Sequence, residues 1–333
     1  MLNVTHFHRM PTSDSYSLER VFTDIRHVMP IDINVVIQES RFASRGLWRR
    51  AYNIVEAAFK QGDINHITGD VHFLTYLLKR QRMVLTILDC VSLERLSGIK
   101  RWMLRLFWYV LPVYFADTIT VISTATKQEL LKVVDCNPDK IKVIYCPVSA
   151  CFIPDVWGFN TDYPRILQIG TGVHNKNVAR VAAALAGINC RWVIIGRLSA
   201  EQLADIANHG LDYENHIDLS NEALLEQYKL ADMLVFASTY EGFGLPIIEA
   251  NAVGRPVVTS TLYSMPEVAG DAACLVDPYN VDSIRNGILR VIKDADYRDS
   301  LVKAGFKNVE RFSATAIAEQ YAQLYRELAN RHK

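Results

Sequence analysis

The sequence predicts an α/β protein made of two Rossmann-like, doubly wound parallel-sheet domains. Short β-branched runs alternate with longer helical patterns along the whole chain, which is how parallel sheets flanked by helices read in sequence. A length of 333 residues is more than one ordinary core needs and suits two domains of about 150 each. With 50% hydrophobic and 22% charged residues, the composition is that of a packed globular protein.

In chain order, the strands expected in the first half are NVTHF (3–7), INVVI (33–37), INHIT (64–68), MVLTIL (83–88), TITVI (118–122) and IKVIY (141–145). Between them, apolar residues recur at helical spacing, as in LWRRAYNIVEAAF (47–59) and ATKQELLKVV (125–134). The stretch PVSACFIPDVWGFNTDYP (147–164), rich in proline and aromatics, reads as an ordered linker. The rhythm then resumes with RILQIG (165–170), RWVIIG (191–196), DMLVFA (232–237), RPVVTS (255–260) and AACLV (272–276).

Formal net charge is zero, which argues against a nucleic-acid binder. Residues 1–150 hold 19 Lys and Arg against 14 Asp and Glu, leaving 17 and 22 for the remainder, so the halves carry +5 and −5. A basic N-terminal half suits an anionic surface or substrate. The cysteines at 90, 136, 146, 151, 190 and 274 form no C-x-x-C pair, as expected of reduced thiols in a cytoplasmic protein. MLNVTHFHRM has no signal-peptide core, and WMLRLFWYVLPVYF (102–115), which contains Arg105 and Pro112, is too short to cross a bilayer. SRGLWRRAYNIVEAAFK (44–60) and IKRWMLRLFWYVLPVY (99–114) mix basic and aromatic residues. They read either as shallow docking on an anionic membrane or as half-buried helices of a basic domain.

Ligands of such folds sit beyond the carboxyl ends of the strands. Three second-half loops have that position: GTGVHNKN (170–177), GRLS (196–199) and ASTYEGFGLP (237–246). In the last, Gly242 and Gly244 permit close backbone approach, and Pro246 suits the first turn of a helix. The amides of Phe243, Gly244 and Leu245 at that helix start make a natural phosphate site. Glu241 precedes the turn. Glu249, one turn inside the helix, aims back at the same cleft, where a carboxylate can accept both hydroxyls of a vicinal diol such as a ribose. The structural alternative is that Glu249 pairs with a lysine or arginine and Glu241 caps a helix. Lys176 is either a point charge for a phosphate or a surface lysine beside an ordinary turn, since GTGVHNKN lacks the third glycine of the dinucleotide fingerprint. Arg197 is either aimed at phosphate or base, or a solvated charge. In the first half, Ser15 and Tyr16 in TSDSYS (12–17), His66 and His72 flanking a strand end, and Asp89 after another strand are candidates for the acceptor or sugar pocket, each with a structural alternative. No Ser-His-Asp pattern, H-E-x-x-H or Walker loop is found, and no metal site is expected.

These segments resemble the family 4 retaining glycosyltransferases of GT-B fold, of the bacterial surface-polysaccharide type that serves O-antigen, capsule or exopolysaccharide. The family's E-x7-E motif stands as Glu241 and Glu249 within ADMLVFASTYEGFGLPIIEANAVGRPVVTS (231–260). GTGVHNKN, SMPEVAGDAACLVDP (264–278) and SATAIAEQYAQLYREL (313–328) are similar too. The resemblance is strong over 165–330. It is fainter over 1–150, where DTITVISTATKQELLKVV (117–134) and IKVIYCPV (141–148) carry it.

The resemblance implies two Rossmann-like domains facing a central cleft: 1–150 for the acceptor, 151–310 for the donor, and a helix at 311–333 crossing back to the first. It implies that Glu249 holds the ribose, that Glu241 contacts the transferred sugar near C3, and that Lys176 neutralises the departing diphosphate in place of a metal. The amides of Phe243, Gly244 and Leu245, with Gly242, Thr171, Gly172, Asn177 and Arg197, would complete the donor site. Two positions depart from the family. Thr171 stands where many relatives carry a phosphate-binding arginine, for which Arg197 is a substitute. Leu88 stands where many carry a histidine, for which His66 or His72 is one.

The implied activity is retaining, metal-independent transfer of a hexose such as mannose, glucose or galactose. The donor would be a UDP- or GDP-sugar, with no other cofactor, and the acceptor a glycan or lipid-pyrophosphate-linked glycan. Such an enzyme would be cytoplasmic, in peripheral contact with the inner membrane. A GT-B nucleotide-sugar epimerase, a glycogen-type synthase and a non-catalytic nucleotide-sugar-binding protein are the other readings.

Overall fold

The structure is a computed structural model that describes residues 1–10, 16–155, 158–172 and 174–331, with the backbone alone for 16–18. The chain divides into two compact units, Met1–Pro147 with Ala314–Lys333, and Val148–Ser313.

The first unit is built on β1 (Leu2–His8), β2 (Ile33–Glu39), β3 (Ile64–Ile67), β4 (Met83–Ile87), β5 (Thr118–Val121) and β6 (Ile141–Val143). They lie side by side in the order β2-β1-β3-β4-β5-β6, every pair parallel. β3, β4 and β5 are buried along their whole length; β4 and β5 accordingly read as continuous apolar or β-branched runs without alternation, whereas β3 buries Asn65 and His66 between its two isoleucines. The helix Ala314–Arg331 belongs to this unit. Its buried stripe Ile317, Tyr321, Leu324, Tyr325 and Leu328 follows the three- and four-residue helical spacing. Residues 98–115 form one helical run in which Arg105–Val110 widens to π geometry just before Pro112, a residue with no N–H to give the ladder.

The second unit holds β7 (Arg165–Ile169), β8 (Arg191–Ile195), β9 (Tyr213–His216), β10 (Met233–Phe236), β11 (Val257–Ser260) and β12 (Cys274–Val276). Their order is β12-β11-β10-β7-β8-β9, again all parallel. The chain therefore starts in the middle at β7, runs outward to β9, and returns to β10 on the other side of β7. The crevice between the loops after β7 and β10 is the topological switch point, where doubly wound sheets take their ligands. The core beneath it packs Ile166, Trp192, Ile194, Met233, Val235 and Val258 against the flanking helices.

One element has no counterpart among the expected strands. β9, Tyr-Glu-Asn-His, lies at the sheet edge with neither face fully buried, so it lacks the apolar signal of a strand. Pairing with β8 holds it, together with Glu214, whose carboxylate accepts hydrogen bonds from Arg165 at 2.9 Å and Arg191 at 3.0 Å. Arg165 above all keeps that carboxyl down at about 2.

Candidate active site

The helix Leu245–Val253 begins after Gly244, whose φ of 106° is open to a residue without a Cβ. Its N-cap residue is Gly244, which has no side chain to offer, so Glu241 is not the N-cap. The Glu241 carboxylate instead accepts a hydrogen bond from Lys176 Nζ at 2.6 Å. Both partners are largely withdrawn from water, Lys176 20% and Glu241 14% exposed, so Lys176 is not a solvated surface lysine.

The approach of Lys176 is built into the loop after β7. A Cβ on Gly170, whose φ is 89°, would lie 2.8 Å from Lys176 Cε, so the lysine stem runs directly over that glycine. The ammonium also sits 4.9 Å from the centre of the Phe236 ring, the last residue of β10. Asn177, left-handed at φ 59°, donates through Nδ2 to the carbonyls of Ala237 at 2.9 Å and Pro278 at 2.7 Å. It thereby ties the ends of β7, β10 and β12 together. Asn175 adds a second tie, donating to the Tyr240 carbonyl at 2.7 Å while its own carbonyl accepts the Thr239 N–H at 2.8 Å. Its Oδ1, and Gln168 Oε1 nearby in sequence, are buried without a partner among the described residues.

Glu249 lies one turn into the helix and is 3% exposed. Its Oε2 accepts the Tyr228 hydroxyl at 2.6 Å. Tyr228 is in turn fixed from behind: the fully buried Arg255 donates to the carbonyls of Tyr228 at 3.2 Å and Lys229 at 2.7 Å, and to Asp155 at 2.8 Å. The Ser264 hydroxyl bridges the carbonyls of Glu241 at 2.9 Å and Phe243 at 2.8 Å, which holds the glycine turn in shape. The Phe243 ring packs edge-on against Phe312 in the core, so only its backbone belongs to the loop surface.

Thr171 is buried, with its hydroxyl donated to the Arg197 carbonyl at 2.6 Å, and Gly196 leaves the room for it. It binds the loops after β7 and β8 to each other. The Arg197 side chain is 77% exposed and, among the described residues, pairs only with Asp218, at 3.5 Å, the geometry of a solvated charge. Gly172 is exposed with open space around it. Thus Lys176, Glu241, Asn177 and the turn 241–245 converge at the switch point, whereas Arg197 points into solvent.

Sequence reasoning missed Asn175, Tyr228, Arg255 and Ser264. Each acts through a partner 20 or more residues away, and nothing in its local pattern announces that partner.

In the first unit, His66 is not a strand-end side chain. It is the third residue of β3, fully buried, with Nδ1 at 2.6 Å from the Tyr325 hydroxyl and Nε2 at 2.7 Å from Thr86 Oγ1, so both ring nitrogens are engaged. Burial, with the neighbouring His8, brings its pKa down to about 3. His8 is brought down to about 4 by burial and by Arg26. His6 Nε2 lies 3.0 Å from the same Tyr325 hydroxyl. His72 is buried with Nδ1 2.8 Å from the Trp108 carbonyl, and Asp89 accepts the Val91 N–H at 3.0 Å. Ser15 and the side chain of Tyr16 lie outside the described residues. Among the described residues no group of three His, Cys, Asp or Glu is placed to hold a metal ion, and no helix is long and apolar enough to cross a membrane.

Residues 152–308, all within the second unit, match the family described as Glycosyl transferases group 1. That match takes in just under half of the chain. The O-antigen chain mannosyltransferase B of Escherichia coli is 40% identical over 106 residues, 32% of this chain and 28% of that protein. An uncharacterized glycosyltransferase of Methanocaldococcus jannaschii is 27% identical over 240 residues, 65% of this chain and 61% of its own length. The chain thus matches less than two thirds of either relative. Among solved structures, Anabaena HepE in complex with UDP and glucose superposes with a TM-score of 0.79 at 16% identity, covering 98% of this chain and 100% of that one. The two six-stranded parallel sheets are those of the GT-B fold.

Proposed function

We propose that this chain is a retaining hexosyltransferase of cell-surface polysaccharide assembly, moving a hexose from a nucleotide diphosphate sugar to a glycan or lipid-linked glycan. The observation that carries the reading is the Lys176–Glu241 pair at the switch point, beside an uncapped helix start and one turn from the buried Glu249. A nucleotide sugar brings to such a place two phosphates, a vicinal diol and a row of sugar hydroxyls. Lys176 and the helix N–H groups suit the diphosphate, Glu249 the ribose, and Glu241 the sugar.

In the proposed step the bond from the sugar C1 to the diphosphate oxygen breaks, and the diphosphate leaves with the electron pair. The acceptor hydroxyl oxygen bonds to C1 on the face just vacated, and its proton passes to the departing phosphate. Lys176 stabilises charge that grows as the bond breaks, which makes the step metal-independent in this reading. The O-antigen mannosyltransferase relative favours mannose, and the UDP-bound neighbour keeps UDP beside GDP as the nucleotide. A cytoplasmic enzyme working at the membrane surface suits a lipid-linked acceptor.

The test is calorimetric titration with UDP, GDP, dTDP and ADP, on the wild type and on Glu249→Ala. One nucleotide should bind selectively and be lost in the variant. If the wild type binds none of the four, the reading fails.

A further inference from the structure

The helix Leu47–Ala58 is turned the wrong way round for a helix that only covers a core. Its inward side is narrow: Ala57 is buried, Ile54 packs half-buried against the core, and buried Asn53 clasps the Phe42 backbone, accepting its N–H at 3.2 Å and donating to its carbonyl at 2.7 Å. The other large apolar residues face out. Trp48 is 88% exposed and Phe59, just past the helix end, 86%, with exposed Tyr52 and Val55 between them and exposed Leu47 just before. The spacing 48, 52, 55, 59 puts them on one face.

Basic side chains edge this stripe. Residues 41–60 hold five Lys or Arg against one carboxylate, Glu56, and that carboxylate pairs with Lys60 on its own helix. Among the described residues no carboxylate pairs with Arg45 or Arg49. The helical run 98–115 lies alongside, because the Arg50 guanidinium stacks 5.0 Å from the Trp108 ring centre. That run repeats the pattern, with Ile99, Trp102, Met103 and Phe107 exposed, Lys100, Arg101 and Arg105 among them, and no acid between 99 and 115.

We infer that these two helical segments of the first unit form a docking surface for an anionic lipid bilayer, with Trp48, Phe59 and Trp102 entering the headgroup region and Arg45, Arg49, Lys100 and Arg101 on lipid phosphates. Exposed aromatics beside cations that lack carboxylate partners match an interface that is apolar a few ångströms down and negative at its rim. A second copy meeting this face with the same face would offer Trp48 the same cations, with Glu56 as the one carboxylate in 41–60 and none in 99–115. The inference does not depend on the proposed activity.

The test is sedimentation of the full chain with vesicles of phosphatidylcholine alone or mixed with phosphatidylglycerol. Three proteins are compared: the wild type, Arg45→Gln/Arg49→Gln, and Trp48→Ser/Phe59→Ser. The wild type should bind the mixed vesicles and not phosphatidylcholine. Each arginine removed should lower the partition coefficient roughly fivefold, and the aromatic pair should lower it by about tenfold or more. Unchanged circular dichroism and unfolding midpoint show that the variants fold. The inference is overturned by a wild type that ignores the mixed vesicles, by variants that bind as well as it does, or by light scattering that finds a wild-type dimer which Trp48→Ser/Phe59→Ser dissociates. The nucleotide titration of the same variants should be unaltered, so a failure here stays separate from a failure of the proposed activity.

Discussion

Lys176 Nζ is held by Glu241 at 2.6 Å, so a diphosphate can take that ammonium only by competing with the carboxylate. Glu241→Gln should therefore raise the affinity for a free nucleoside diphosphate, even though it removes a group assigned to the sugar. Fully exposed ion pairs are worth about 0.2–1 kcal/mol, and hydrogen bonds to charged groups in the interior about 1.5–3. With partners 20% and 14% exposed, the pair falls between these limits, about 1–2 kcal/mol, which is roughly a 5- to 30-fold gain in affinity. The assay is a double-mutant cycle by calorimetry, using whichever of UDP or GDP binds, on wild type, Glu241→Gln, Lys176→Met and both together. Lys176→Met should bind more weakly. Adding Glu241→Gln in that background should bring no gain, because the competition has gone. Transfer from the intact donor should fall in every variant. If Glu241→Gln binds the diphosphate no better than wild type, or improves it equally without Lys176, then Lys176 is not the diphosphate partner.

Three other outcomes are expected. Gly170→Ala should weaken nucleotide binding much as Lys176→Met does, since its Cβ would stand 2.8 Å from Lys176 Cε at a φ of 89°, whereas Gly172→Ala, with open space around it, should be neutral; equal affinities in the two variants would contradict the placement of the lysine. Acid should destabilise the first unit early: His66 and His8 have folded pKa values of about 3 and 4, below the unfolded 6.5, so their contribution is complete above 6.5 and declines as pH falls. At pH 5 the loss should be about 2 kcal/mol for each, visible as a lower urea midpoint than at pH 7, and a pH-independent midpoint would sink the assignment. Chelation by EDTA should leave sugar transfer intact if Lys176 supplies the leaving-group charge; complete loss that a divalent metal restores would exclude this role.

What the sequence determined by itself is the part of the protein that is local. The hydrophobic period of each segment distinguishes strand from helix, which is why all but one of the strands are legible. The run EGFGLPIIEA likewise contains its own turn, helix start and both carboxylates. β9 escaped because an edge strand held by ladder bonds and by Arg165 and Arg191 has no need of apolar side chains. Tertiary structure decided whatever depends on partners remote in the chain. It set β7 beside β10, so that Lys176 meets Glu241 across 65 residues, and it placed Tyr228 on Glu249. It also pulled His66 inward to Thr86 and Tyr325, 259 residues away, and left Arg197 in solvent. The physical reason is that a side chain's protonation, orientation and exposure follow from the groups packed around it, and those groups are chosen by strand order, which no short stretch of sequence encodes.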